Sequence, residues 1–80
     1  MIKYLVLYEK TKSGYSAYVP DLPGVIATGK NKKIVEKNIF GAIQFHIEGL
    51  KEENIKLPKS NTEAEMLVFS LSVSRRGGKS

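Results

Sequence analysis

The 80-residue sequence has no cysteine and no tryptophan, a single histidine (His46) and three prolines. Without cysteine there is no disulfide, no zinc–thiolate site and no thiol nucleophile, and nothing staples the chain as small secreted domains are stapled. Long apolar runs are missing as well. Stretches such as Leu5-Val6-Leu7-Tyr8 fall far short of the roughly 18 residues that a membrane-spanning helix needs. Met1-Ile2-Lys3-Tyr4 opens into an alternating, charged pattern instead of a secretory leader. The expected location is cytoplasmic.

What remains is the composition of one small folded domain. At 8.9 kDa, with 41% hydrophobic and 26% charged residues, the chain is too apolar for a disordered one. A chain this short buries only about 60–65% of the surface its unfolded form exposes, so every core side chain counts. Thirteen Lys and Arg against eight Asp and Glu give a net charge of +5. Arg75, Arg76 and Lys79 lie at the very end, and residues 1–74 are nearly balanced at +2. The expected organisation is therefore one domain over residues 1–74 and a basic flexible tail over 75–80.

Residues 2–9 set Ile2, Tyr4, Val6 and Tyr8 against Lys3, Leu5, Leu7 and Glu9, and both sets are apolar in the middle. That pattern predicts a strand covered on two sides. A polar turn, Lys10 to Gly14, leads into a second strand over Tyr15–Val19. Pro20 cannot donate to a ladder and ends it. Pro20-Asp21-Leu22-Pro23-Gly24 makes a tight corner, with two prolines fixing φ and Gly24 free to take a positive one. Val25–Thr28 is a third strand, stopped by Gly29.

The period then changes. Val35, Ile39, Ala42, Ile43, His46, Ile47 and Leu50 recur at steps of three and four, which predicts a helix over residues 32–50. Asn31 is a suitable N-cap. Lys32 and Lys33 fall in the first turn, where positive charge opposes the helix macrodipole, and the sequence supplies no reason for them. Phe40 and Phe45 lie off the stripe. Lys51 to Asn61 is a polar connection containing Pro58. Glu65–Val73 reads as a last strand, with Leu67, Phe69, Leu71 and Val73 on its apolar face, and Ser74–Ser80 as a frayed end.

The order β-β-β-α-β defines an α+β domain: a mixed four-stranded sheet, one helix packed on one face, and the last strand parallel to the first. The other face has no covering layer, and the last strand presents an edge with Met66, Val68 and Phe69. Both features predict a homo-oligomer.

Catalytic patterns are missing. His46 has no cysteine or second histidine with which to share a metal. Ser13, His46 and Asp21 assemble a triad only on paper, since no nucleophile-elbow pattern frames the serine. Glu52-Glu53, Glu63 and Glu65 read as solvated charge, and the first strand has no central acid for a two-metal site. Gly24 and Gly29 form no phosphate-binding fingerprint. The expectation is a protein that is not an enzyme and needs no cofactor or metal.

Gly14-Tyr15-Ser16-Ala17-Tyr18-Val19-Pro20-Asp21-Leu22-Pro23-Gly24-Val25 resembles the hallmark of the HicB-like antitoxin family. The helix that follows, with Asn38, Ala42-Ile43 and Phe45-His46-Ile47-Glu48-Gly49-Leu50, is similar to that family's helix in spacing and residue type, and the resemblance covers about residues 2–73. It implies a partial ribonuclease-H-like fold and the role of antitoxin. The partner would be a small HicA-like, messenger-RNA-cleaving toxin, neutralised by direct contact. Many members add a helix-turn-helix or ribbon-helix-helix domain that binds DNA; this chain is expected to have only the first domain. The residues expected to meet the toxin are Asp21, Leu22 and Pro23 of the corner and Met66, Val68 and Phe69 of the last strand. The competing expectation is a binding module that contacts nucleic acid through Lys30, Lys32, Lys33, Arg75 and Arg76.

Overall fold

Strands form where alternating residues find a partner. The computed structural model describes residues 1–71, and in it β1 (Leu7–Lys10), β2 (Tyr15–Tyr18) and β3 (Ile26–Gly29) make an antiparallel sheet in the order β1-β2-β3. The register aligns Tyr8, Ala17 and Ala27 in one cross-strand row and Leu7, Tyr18 and Ile26 in the next. Neighbouring rows point to opposite faces. Ala17 is fully buried, whereas Tyr18 and Ile26 are largely exposed, so one face holds the core and the other meets solvent.

The first strand was expected over residues 2–9, but it pairs only from Leu7 onward. Its partner ends at Tyr18, and beyond it the chain turns away at Val19-Pro20, where proline has no N–H to give. Two successive turns build the corner. The Leu22 amide donates to the Val19 carbonyl at 3.0 Å, and the Val25 amide to the Leu22 carbonyl at 3.1 Å. Pro23 and Gly24 occupy the middle of the second turn, and Gly24 has a φ of 87°, the value a type II turn asks of its third residue.

Helix α1 (Lys32–Glu52) begins as expected, with the Asn31 side chain accepting the Ile34 amide at 2.9 Å. It ends later than the pattern indicated. Asn54 takes the left-handed conformation (φ 57°), the Ile55 amide donates to the Leu50 carbonyl and the Asn54 amide to the Lys51 carbonyl. These are the paired bonds of a Schellman cap, with asparagine in the position glycine usually takes.

The helix packs across β3 and β2. Val35 and Ile39 join Ala17, Val19, Leu22 and Val25 in the buried core, with Tyr4, Val6, Ala42 and Ile43 packed against it. Burial fades along the helix because of a length mismatch. Twenty-one helical residues extend about 31 Å, while a four-residue strand covers only about 13 Å.

The fourth strand is where the structure departs most from expectation. Residues 65–71 carry no strand, and the sheet among the described residues consists of β1 to β3 alone. Met66, Leu67, Val68, Phe69 and Leu71 are all exposed. Alternation identified an apolar face here, but an apolar face does not say which surface will cover it. The remainder of that strand, Ser72 and Val73, and the basic tail with Arg75 and Arg76 lie outside the described residues. The molecule is elongated, measuring 62 × 29 × 19 Å.

Candidate functional site

Asp21 of the corner does not face an open surface. Its Oδ2 accepts the backbone amides of Asn61 and Thr62, both at 3.1 Å, and its Oδ1 accepts the Thr62 hydroxyl at 2.9 Å. A few residues before Asn61, the Pro58 carbonyl accepts the Tyr4 hydroxyl at 2.5 Å. Two contacts thus tie the connection after the helix to the corner and to the N-terminal segment. Leu22, expected at a partner contact, is fully buried and among the largest core side chains. Its turn is so tight that the side chain has only the interior to enter. Pro23 and Gly24 remain on the surface. The clamp brings together two expected contact regions, the corner and the root of the segment carrying Met66, Val68 and Phe69.

Among the described residues the basic candidates Lys30, Lys32 and Lys33 are exposed but not alike. Lys32 lies over the Tyr8 ring, 4.4 Å from its centroid, and pairs with Glu36 at 3.8 Å. These contacts explain a lysine in the first helical turn: the ring face and the carboxylate offset the unfavourable dipole. Burial, reinforced by the negative charge of Glu36, raises the Tyr8 phenol above its ordinary pKa of 10.0. Lys30 and Lys33 extend from the surface. Asn38, which sequence reasoning placed only as part of the helix pattern, donates its side-chain amide to the Thr28 carbonyl at 2.8 Å and fixes α1 to β3.

Apolar surface is the main resource of this molecule. One patch is the cross-strand row of Leu7, Tyr18 and Ile26 on the uncovered sheet face, with Ile26 64% exposed. The sequence reading anticipated that open face but not the residues that line it; the strand register was the missing information. The other patch is the segment from Glu63 to Leu71, in which Met66 and Val68 are more than nine-tenths exposed. Among the described residues there is no group of three His, Cys, Asp or Glu placed to hold a metal ion, and no helix is long and apolar enough to cross a membrane.

Comparison with known proteins agrees with this architecture. The sequence profile of the HicB-like antitoxins of bacterial toxin-antitoxin systems matches residues 4–70, and the chain belongs to that family. A UPF0150 protein, Ta0767, of Thermoplasma acidophilum is 44% identical over 63 residues, which are 78% of this chain and 91% of that protein. An uncharacterized 14.9 kDa protein from the rep-hol intergenic region of Haemophilus phage HP1 is 43% identical over 58 residues. That match takes in 72% of this chain but only 44% of the phage protein, so the chain spans less than half the length of that relative. Among solved structures, a chain of the HicA3 and HicB3 toxin-antitoxin complex superposes with a TM-score of 0.62 at 32% identity, covering 75% of this chain and 70% of that one.

Proposed function

We propose that this protein is an antitoxin that binds a small HicA-type, messenger-RNA-cleaving toxin and covers the toxin's RNA-contacting surface, acting in the cytoplasm by binding and not by catalysis. The observation that carries this reading is the likeness, in sequence and in fold, to a chain of a HicA–HicB complex. Exposed apolar surface supports it, because a partner interface needs a core from which water is excluded. Pro23 on the proline-fixed corner and Met66 and Val68 on the segment after the helix are the proposed contacts. Asp21 serves them by holding the segment's root at the corner. A side chain on a preset turn loses little entropy on binding.

The test is co-expression of the neighbouring reading frame with and without this chain. Growth arrest by the neighbour, relieved by this chain and accompanied by co-purification, is the expected outcome. Arrest that this chain neither relieves nor binds ends the proposal. The nucleic-acid reading through Lys30 and Lys33 has its own signature, since phosphate contacts weaken steeply with salt and an apolar interface does not.

A further inference from the structure

The hairpin turn between β1 and β2 packs directly on the chain leaving β3. A Cβ on Gly14 would overlap the Gly29 carbonyl oxygen, so only glycine lets these two backbones meet. The Thr11 amide closes the turn on the Gly14 carbonyl at 2.8 Å. Beside this contact an open cavity of about 420 Å³ is lined by Thr11, Ser13, Thr28 and Lys30 together with the two glycines. Among the described residues, the three hydroxyls and the Lys30 ammonium make no hydrogen bond or ion pair with the rest of the chain. Three rotatable donors and one positive charge around an open space are the chemistry of an oxyanion site.

The surroundings are basic. Lys10 and Lys12 flank the turn and Lys33 lies in the first turn of α1, all three exposed and unpaired among the described residues. The acids nearest in sequence are Glu9 and Glu36, and Glu36 is taken up by Lys32. Lys33 opposes the helix macrodipole and, unlike Lys32, has neither a ring nor a carboxylate to offset that cost. We infer that the cavity takes a phosphate of a nucleic-acid backbone, held by Lys30 and the three hydroxyls, with Lys12 and Lys33 on neighbouring phosphates of the same strand. The ligand is a strand and not a free phosphate because the charge extends past the cavity. Lys12 and Lys33 do not line it, so a single phosphate leaves both unused, whereas repeating phosphates meet all three lysines. No aromatic side chain lines the cavity either, so the contacts fall on the backbone and carry no sequence preference. This binding adds to the proposed contact with a toxin. β2 begins at the cavity and ends at the corner, so the two sites lie at opposite ends of the sheet and Pro23 stays free.

Fluorescence anisotropy of a short labelled oligouridine, titrated with the full chain, tests the inference. Binding is expected at low salt, and three contacted phosphates predict a loss of at least about tenfold in affinity between about 50 and 200 mM salt. Lys30→Gln and Lys33→Gln are each expected to weaken binding several-fold and to make the salt dependence shallower. Ser13→Ala, which leaves every charge in place, is expected to weaken it by about threefold or more through the lost charge-assisted hydrogen bond. Lys56→Gln removes an equally exposed lysine far from the cavity in sequence and is expected to bind as wild type does. All four positions are exposed, so the variants should keep the wild-type far-ultraviolet circular dichroism. Absence of binding at low salt overturns the inference. So does equal weakening by Lys30→Gln and Lys56→Gln, which marks a diffuse charge effect, or full binding by Ser13→Ala. Inorganic phosphate that displaces the oligouridine better than chloride of the same ionic strength also overturns it, because the cavity is then a site for the free anion. None of these measurements involves a toxin.

Discussion

Asp21 and Thr62 are 41 residues apart in sequence, yet the carboxylate of one receives both the amide and the hydroxyl of the other. With the Asn61 amide, three donors converge on one half-buried acid. The clamp fixes where the chain goes after the helix, and so where the apolar segment begins. Replacing Asp21 with alanine strands three donors; a hydrogen bond to a charged acceptor contributes about 1.5–3 kcal/mol when buried, and less here, where solvent competes for the donors. The expected loss for Asp21→Ala is about 1–3 kcal/mol by urea unfolding. Asparagine retains one acceptor oxygen, so Asp21→Asn should lose less. Amide exchange at Asn61 and Thr62 should quicken in both variants, and unchanged exchange would show that the clamp holds nothing.

Two glycines should resist substitution for different reasons. A Cβ on Gly29 would come within 2.6 Å of the Val35 nitrogen, where β3 passes the first turn of α1. Backbone cannot yield as a side-chain tip can, and Gly29→Ala should cost about 1–3 kcal/mol as overpacking does. At Gly24 there is open space around a Cβ, but φ is 87°. Gly24→Ala should cost about 1–2 kcal/mol from backbone conformation alone. Thermal unfolding separates the two ideas through a second substitution. Gly24→Asn should recover part of the loss because asparagine tolerates positive φ, whereas Gly29→Asn should be worse than alanine.

Tyr8 makes stability sensitive to alkali. Its pKa is raised in the folded protein, first by burial and then by Glu36, so the folded state holds the phenolic proton more tightly than the unfolded state does. The contribution is therefore complete below the unfolded value of 10.0 and is lost as pH rises through the folded value. Urea midpoints measured on either side of pH 10 should fall more in wild type than in Tyr8→Phe, which cannot ionise. Equal falls would show that Tyr8 does not contribute to the alkaline loss.

The sheet and helix were legible because each depends on a local period: alternation gave the meander, the three-and-four stripe gave α1, and Pro23-Gly24 announced its turn. Contacts across long separations were not legible. Nothing near Lys32 in sequence hints at the Tyr8 ring beneath it, and nothing near Asp21 hints at Thr62. Leu22 misled for a related reason. Between two prolines it reads as a loop residue, yet the corner folds tightly enough to aim its side chain inward. The last strand failed differently: residues 65–71 alternate in sequence but carry no strand, because alternation does not set the surface that would receive them.

The segment after the helix carries two of the proposed toxin contacts, Met66 and Val68. Met66 and Val68 alternate with Leu67, Phe69 and Leu71, so in extended backbone they point the opposite way. Val68 is 97% exposed, and Val68→Asp therefore has no core to disturb. A charge at the desolvated centre of an interface typically costs enough to weaken binding about tenfold or more. Val68→Asp is expected to abolish relief of growth arrest in the co-expression assay while its far-ultraviolet circular dichroism stays that of wild type. Full relief by Val68→Asp and by Met66→Asp would exclude this face from the toxin contact and move it to the uncovered sheet row of Leu7, Tyr18 and Ile26.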